Sequence, residues 1–290
     1  MRSQEEMMKL VLDFAEKDER IRLVCLDGSR ADKDAVQDRY SDFDIVFFVT
    51  DIRPFTQNQD WLMYFGDILI LQRPMDWYGA PYDYHSRAPY NLLTQFIDGN
   101  RIDFRLVDLS DLRAELENHE PRQVLLKKDE WLPIESVESN DAYFVPRPSE
   151  KEFHDCCNEF WWISLNTLKG LCREEFYYAK QMYEHYQMEM LIKMLSWKAV
   201  LPYDFHASVG KCGKYLKRFL SKEEMGRFQG LFPNGEYKDI WNKFLLSLTY
   251  FEELSSYVAQ KLSFSQPKER SGEIKRYIKE KKQEYDKGKE

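Results

Sequence analysis

Cysteine is scarce and wrongly spaced for a covalent or metal framework: five residues in 290, an odd number that includes the adjacent pair Cys156-Cys157, with no C-x-x-C motif. That excludes a disulfide scaffold and a thiolate zinc site, and it fits a reducing compartment. The five histidines, His85, His119, His154, His185 and His206, include no i, i+4 pair and share no motif, which argues against a histidine metal site or a histidine-driven triad. No apolar run approaches the roughly 20 residues needed to cross a bilayer, and no basic and apolar leader opens the sequence. A cytoplasmic protein with no membrane partner is expected. Basic excess is missing too. With Lys+Arg 42 against Asp+Glu 50 the formal net charge is −8, and a surface of that sign does not neutralise phosphates, which excludes nonspecific nucleic-acid binding. An acidic balance suits a cationic ligand, although solubility alone also explains it.

What is present is enough chain for one large domain or two modest ones, each burying a core; two is the expected arrangement. The aromatic share of 15% serves core packing and can supply flat walls for a ligand pocket. Residues 1–146 read as a mixed α and β domain. It comprises a helix at 3–17, strands at 21–26 and 45–49, a helix at 57–65 and a strand at 67–72. A hairpin follows, 90–97 and 101–107 around the Asp98-Gly99 turn, then a short helix at 110–116 and a run of undetermined type at 124–131. The loop at 73–89, with Trp77, Tyr78, Tyr82 and Tyr84, is either a lid over a ligand or surface packing. Val145-Pro-Arg-Pro148 cannot continue a helix, and Ser149 with Glu152 forms a capping box that opens one. An all-helical second domain at 147–265 follows, with helices expected at 152–171, 174–200, 207–219, 222–231 and 237–262. The charged tail, 266–290, reads as a frayed helix or disorder.

The chemistry concentrates in Cys25-Leu-Asp-Gly-Ser-Arg30 and Ser41-Asp-Phe-Asp-Ile-Val-Phe-Phe48. Asp42 and Asp44 lie two apart at the start of a strand, so both point to one face. Like charges that close raise each other's proton affinity unless a cation neutralises them, and hard oxygen ligands suit Mg²⁺. Gly28 permits close backbone approach to a phosphate and the Ser29 hydroxyl can donate to one. Arg30 is either a solvated loop residue or a contact to a triphosphate oxygen. Asp103, inward on the strand after the Asp98-Gly99 turn, supplies a third carboxylate.

Glycine-serine after one strand, Asp-x-Asp opening the next and an isolated Asp on a later one resemble the nucleotidyltransferase superfamily that includes DNA polymerase beta. Gly28-Ser-Arg30, Ser41-Asp-Phe-Asp-Ile45, Arg147-Pro148 and Asp155-Cys-Cys-Asn-Glu-Phe-Trp-Trp162 further resemble the aminoglycoside 6-adenylyltransferases, or streptomycin adenylyltransferases. The likeness runs over most of the chain and fades in the lysine-rich tail. It implies an α+β enzyme: a nucleotidyltransferase mixed β-sheet domain with flanking helices, followed by an all-α helical bundle domain, with the site in the cleft between them. The implied reaction moves AMP from ATP to an aminoglycoside hydroxyl, with streptomycin at position 6 as acceptor, and so confers resistance. Asp42, Asp44 and Asp103 would hold Mg²⁺, Asp103 acting as ligand or as base. Gly28, Ser29 and Arg30 would meet the nucleotide, and a monomer or weak homodimer is expected.

Two sets in the second half carry alternatives. Asp155, Glu159 and Trp162 recur at i, i+4 and i+7, which is either a solvated helix face or a wall of carboxylates and an indole for the drug's guanidinium groups. Gly210-Lys-Cys-Gly-Lys-Tyr215 does not meet the phosphate-loop spacing; Lys211 and Lys214 resemble the lysines of the adenylyltransferase helix that would face ATP phosphates, or else are solvated. An adenylyltransferase acting on another aminoglycoside, a protein-modifying adenylyltransferase of the toxin-antitoxin type and a noncatalytic nucleotide-binding regulator remain the other readings.

Overall fold

The computed structural model describes residues 1–76, 82–117, 120–265 and 271–288. Its contacts divide the chain into Met1–Ala142 and Tyr143–Glu290.

The first unit is built on a six-stranded sheet ordered β3-β4-β5-β2-β1-β6. Its strands are β1 (Ile21–Asp27), β2 (Phe43–Val49), β3 (Ile68–Gln72), β4 (Tyr90–Phe96), β5 (Arg101–Asp108) and β6 (Arg122–Lys127). All pairings are antiparallel except β2 with β5, which run parallel. The run of undetermined type is thus an edge strand, β6. One face carries Ile45, Phe47 and Val49 and is packed by α1 (Gln4–Lys17) through Met7, Val11 and Ala15, all buried. A capping box of Ser3 and Glu6 starts α1, satisfying its first amides. The opposite face carries Leu23, Cys25, Val46, Phe48 and Val107 under a smaller cover that includes Leu112 of α3 (Leu112–Leu116), Leu132 and Ile134.

The helix expected at 57–65 is displaced. Pro54 sits in the first turn of α2 (Arg53–Gln57), where its fixed φ favours initiation, and a 3₁₀ segment, Asp60–Phe65, then runs to Gly66 at φ 128. Of the aromatic loop, Trp77 and Tyr78 lie outside the described residues. Tyr82 and Tyr84 pack against Tyr90 in tilted contacts, with ring centroids 4.5 and 6.0 Å apart, and the Tyr84 and Tyr90 hydroxyls both donate to Asp76 Oδ2, at 2.5 and 2.8 Å.

The second unit is helical: α4 (Glu150–Cys172), α5 (Phe176–Lys180), α6 (Met188–Val200), α7 (Lys222–Gln229), α8 (Tyr237–Leu262) and α9 (Ser271–Lys287). Capping boxes start α4 and α7, through Ser149 with Glu152 and Ser221 with Glu224. A π-helical turn, Gln181–Gln187, joins α5 to α6 and brings the buried Gln187 amide between two neighbours. It accepts from Thr167 of α4 at 3.0 Å and donates to Ser247 of α8 at 3.3 Å, so a buried polar side chain is satisfied at both ends. One expectation fails. Residues 207–219 are not a helix, because Gly210, Cys212 and Gly213 adopt φ of 70, 55 and 74, a left-handed cluster that no right-handed helix accommodates; two 3₁₀ turns, Lys211–Gly213 and Leu216–Arg218, take its place. Of the tail's two readings, helix or disorder, residues 271–287 take the helix, α9. This helix buries Ile278 completely and pairs Lys275 with Glu252 of α8.

Phe160 of α4 and Phe251 of α8 are fully buried and stack with ring centroids 3.7 Å apart. Phe251→Ala is expected to cost about 3–5 kcal/mol of stability, measured by urea unfolding. A loss below about 1 kcal/mol would show that α4 and α8 do not depend on this contact.

Candidate active site

Register builds the site. At one end of the sheet, Arg122 of β6 lies opposite Asp27 of β1, Asp27 opposite Asp44 of β2, and Asp44 opposite Asp103 of β5. Residues directly opposite across strands share a face, and Asp42, two before Asp44, shares it too. It is the thinly covered face, so four aspartates and their flanking arginines crowd an end that the small core does not reach.

Each arginine around this row has its own task. Arg122 is 4% exposed and forks onto Asp27 through Nε and Nη2 at 2.8 and 2.6 Å. Burial still holds the Asp27 carboxyl above its usual range, with Arg122 opposing. Arg105 forks onto Glu115 of α3 at 2.7 and 2.8 Å. Arg101 forks onto Asp103, with Nε to Oδ1 at 2.7 Å and Nη2 to Oδ2 at 2.8 Å, and its Nε lies 3.5 Å from Asp42 Oδ2. Among the described residues Asp44 has no ion-pair partner. Burial, then the charges of Asp103, Asp42 and Asp27, push its carboxyl up to about 7. Burial likewise raises Asp42, against the pull of Arg101.

Gly28 opens a single 3₁₀ turn, Gly28–Arg30, directly after β1. Its φ is +68, and a Cβ there would stand 2.2 Å from Asp44 Oδ2. Only glycine lets the backbone pass that carboxylate. Ser29 rides on the same turn. Arg30 is not a free surface residue: it donates to the carbonyls of Asp42 at 3.0 Å and Ser41 at 2.7 Å, to Gln4 Oε1 at 2.9 Å, and lies 3.9 Å from the Phe43 ring centroid. It ties down the loop that delivers Asp42, and it lines a cavity of about 240 Å³ with Phe43, Arg39 and Asn100.

Among the described residues no group of three His, Cys, Asp or Glu side chains stands ready to hold a metal ion. The donor set nevertheless fits a hard divalent cation, since Asp42, Asp44 and Asp103 offer only carboxylate oxygens and the raised Asp44 carboxyl marks an excess of negative charge.

In the second unit, Asp155, Glu159 and Trp162 all lie on the exposed side of α4, Trp162 at 63%. Asp155 pairs with Lys151 at 2.5 Å. Lys211 and Lys214 are exposed on the 3₁₀ loop, away from any helix face, and Lys214 Nζ is 5.0 Å from the Tyr215 ring centroid. Asp27, Arg101 and Arg122 are not among the site residues expected from the sequence. Period-two spacing signals Arg101, two before Asp103; the long-range pairing of Arg122 with Asp27 leaves no local trace.

The raised Asp44 carboxyl has a stability consequence. A group that binds its proton more tightly when folded makes stability fall as pH climbs from near 3.8 towards about 7, and above that the full penalty is present. In EDTA, Asp44→Asn is therefore expected to gain about 1–3 kcal/mol at pH 8 and almost nothing at pH 4. Urea unfolding at the two pH values decides, and equal effects at both would remove the repulsion.

A family model of streptomycin adenylyltransferase matches residues 1–281. The aminoglycoside 6-adenylyltransferases of Bacillus subtilis (strain 168) and Campylobacter jejuni are each 34% identical over 92% of this chain, covering 94% and 92% of their own lengths. That of Staphylococcus aureus is 31% identical over 89% of this chain and 92% of its own length. A crystal structure of an aminoglycoside 6-adenyltransferase from Bacillus subtilis is 31% identical, covers 97% of this chain and 99% of that one, and superposes with a TM-score of 0.47. With the family model spanning nearly the whole chain and relatives above 30% identity along most of their length, the chain belongs to the streptomycin adenylyltransferase family of nucleotidyltransferases.

Proposed function

We propose that this protein transfers AMP from ATP to a hydroxyl of an aminoglycoside, with the 6-hydroxyl of streptomycin as acceptor, and thereby confers resistance by placing a bulky anion on the drug. The observation that carries the reading is the row of Asp42, Asp44 and Asp103 at one end of the sheet, beside the Gly28 turn. Asp42, Asp44 and Asp103 would hold Mg²⁺, which when bound neutralises triphosphate charge and polarises the α-phosphate. The Gly28–Ser29 turn receives phosphate oxygens against backbone amides, and Arg30 keeps the loop before Asp42 in place. Asp103 takes the proton of the attacking hydroxyl or serves as a ligand. The new P–O bond forms at the α-phosphorus while the bond to pyrophosphate breaks. Lys211 and Lys214 are assigned to ATP phosphates, and Asp155, Glu159 and Trp162 to the acceptor. The same reading places a monomer or weak homodimer in the cytoplasm, the compartment its cysteine usage fits.

The family relation and the chain's acidic balance support the acceptor class; the exposed carboxylate and indole face of α4 supports a planar cation. Incubation with ATP, Mg²⁺ and a panel of aminoglycosides, with pyrophosphate release and the mass of the drug monitored, tests it. Adenylylated streptomycin is expected, and no product from any aminoglycoside would overturn it. Asp42→Asn and Asp44→Asn are each expected to lower turnover by about 100-fold or more with the fold intact. Near-normal pyrophosphate release would remove the pair from the site. Glu159→Gln is expected to weaken streptomycin binding by on the order of tenfold with ATP affinity unchanged. A calorimetric loss under about threefold would return Glu159 to a solvated surface role.

A further inference from the structure

Of the three arginines along the carboxylate row, two are committed elsewhere. Arg122 serves Asp27 and Arg105 serves Glu115. Arg101 alone is bound to the carboxylates assigned to metal, engaging both oxygens of Asp103 and reaching towards Asp42. We propose that Arg101 is a resident counter-cation of the metal site: it holds Asp103 and Asp42 while no divalent ion is present, and a divalent ion takes those oxygens by displacing it. The inference rests on the metal part of the proposed function and goes beyond it, because it assigns a residue that competes with the metal instead of binding it.

Geometry permits the exchange. Arg101 is the first residue of β5, and its side chain is 38% exposed, so the guanidinium can turn into solvent by rotating its own side-chain bonds while the backbone of β5 stays paired. A half-exposed ion pair is a weak bond, whereas a divalent ion among three carboxylates carries twice the charge into a partly buried setting. Both Asp103 oxygens face nitrogen donors of Arg101, so a divalent ion reaches them only by displacing the guanidinium. Without Arg101 the carboxylates have less compensation, which should raise their affinity for a divalent ion and weaken the metal-free fold.

The test is direct Mn²⁺ binding to the full-length, nucleotide-free protein, read from the free-ion signal in electron paramagnetic resonance, with melting temperatures in EDTA and in Mn²⁺. Arg101→Gln is expected to tighten Mn²⁺ binding by on the order of tenfold, to melt earlier in EDTA and to gain more from Mn²⁺ than the parent. Arg101→Lys keeps a charge but loses the fork; it is expected to tighten binding by about threefold and carries the test if the glutamine variant fails to fold. Equal or weaker Mn²⁺ affinity in a folded variant overturns the proposal. Asp44→Asn separates the two levels. If it binds Mn²⁺ as the parent does, the metal site is misassigned and the inference falls with it; if it loses Mn²⁺ while the Arg101 variants match the parent, only the role of Arg101 is wrong.

Discussion

The arrangement at one end of the sheet depends on the repulsion among carboxylates aligned across neighbouring strands. Asp27, Asp44 and Asp103 are consecutive in register, and Asp42 joins them from the end of its loop. In a partly buried setting, like charges at this spacing cannot all stay ionised without compensation. Two remedies are visible. Arg122 neutralises Asp27 and Arg101 neutralises Asp103, while Asp44, between them, keeps the residual strain as a carboxyl pushed up to about 7. Charge left uncompensated in this way is costly to the fold, and it is the charge that the proposed metal would neutralise.

The sheet's unequal faces locate that strain. α1 closes one face with a continuous apolar layer, and burying a carboxylate there would carry the full desolvation penalty. The other face has a short cover over Val46, Phe48 and Val107 that stops before Asp44 and Asp103. Polar residues therefore occupy the strand ends where solvent remains, and the single parallel pairing, β2 with β5, puts both acidic residues at the same end. Were β5 antiparallel to β2, Asp103 would face the far end of β2.

The helical unit is organised by different means. Its core is mostly apolar and aromatic, and among its buried polar residues Gln187 lies on a π-helical turn that aims one amide at Thr167 of α4 and Ser247 of α8. Rare helical geometry of this sort is retained where a side chain must be redirected. The left-handed residues at 210–213 interrupt the chain in a comparable way, leaving Lys211 and Lys214 on a loop where a helix would have spaced them along one face.

The sequence by itself determined the local units. Continuous apolar, partly β-branched runs specified β1 and β2, alternation specified β5, the Ser149-x-x-Glu152 box specified the start of α4, and the Asp42 and Asp44 spacing specified a shared face, because each depends only on residues a few positions apart. The α+β order of sheet unit then helical unit was legible for the same reason. What tertiary structure alone decided was pairing and conformation. Arg122 meets Asp27 across 95 positions, and Arg30 locks the loop at Asp42 instead of facing solvent. Residues 207–219 give up a helix whose apolar spacing is present, because three left-handed residues override that pattern. Within the tail, α9 is anchored by Ile278, which finds a buried site that its charged neighbours do not advertise. Composition reports the average environment of a segment, while burial and ion pairing depend on which distant residue arrives beside it.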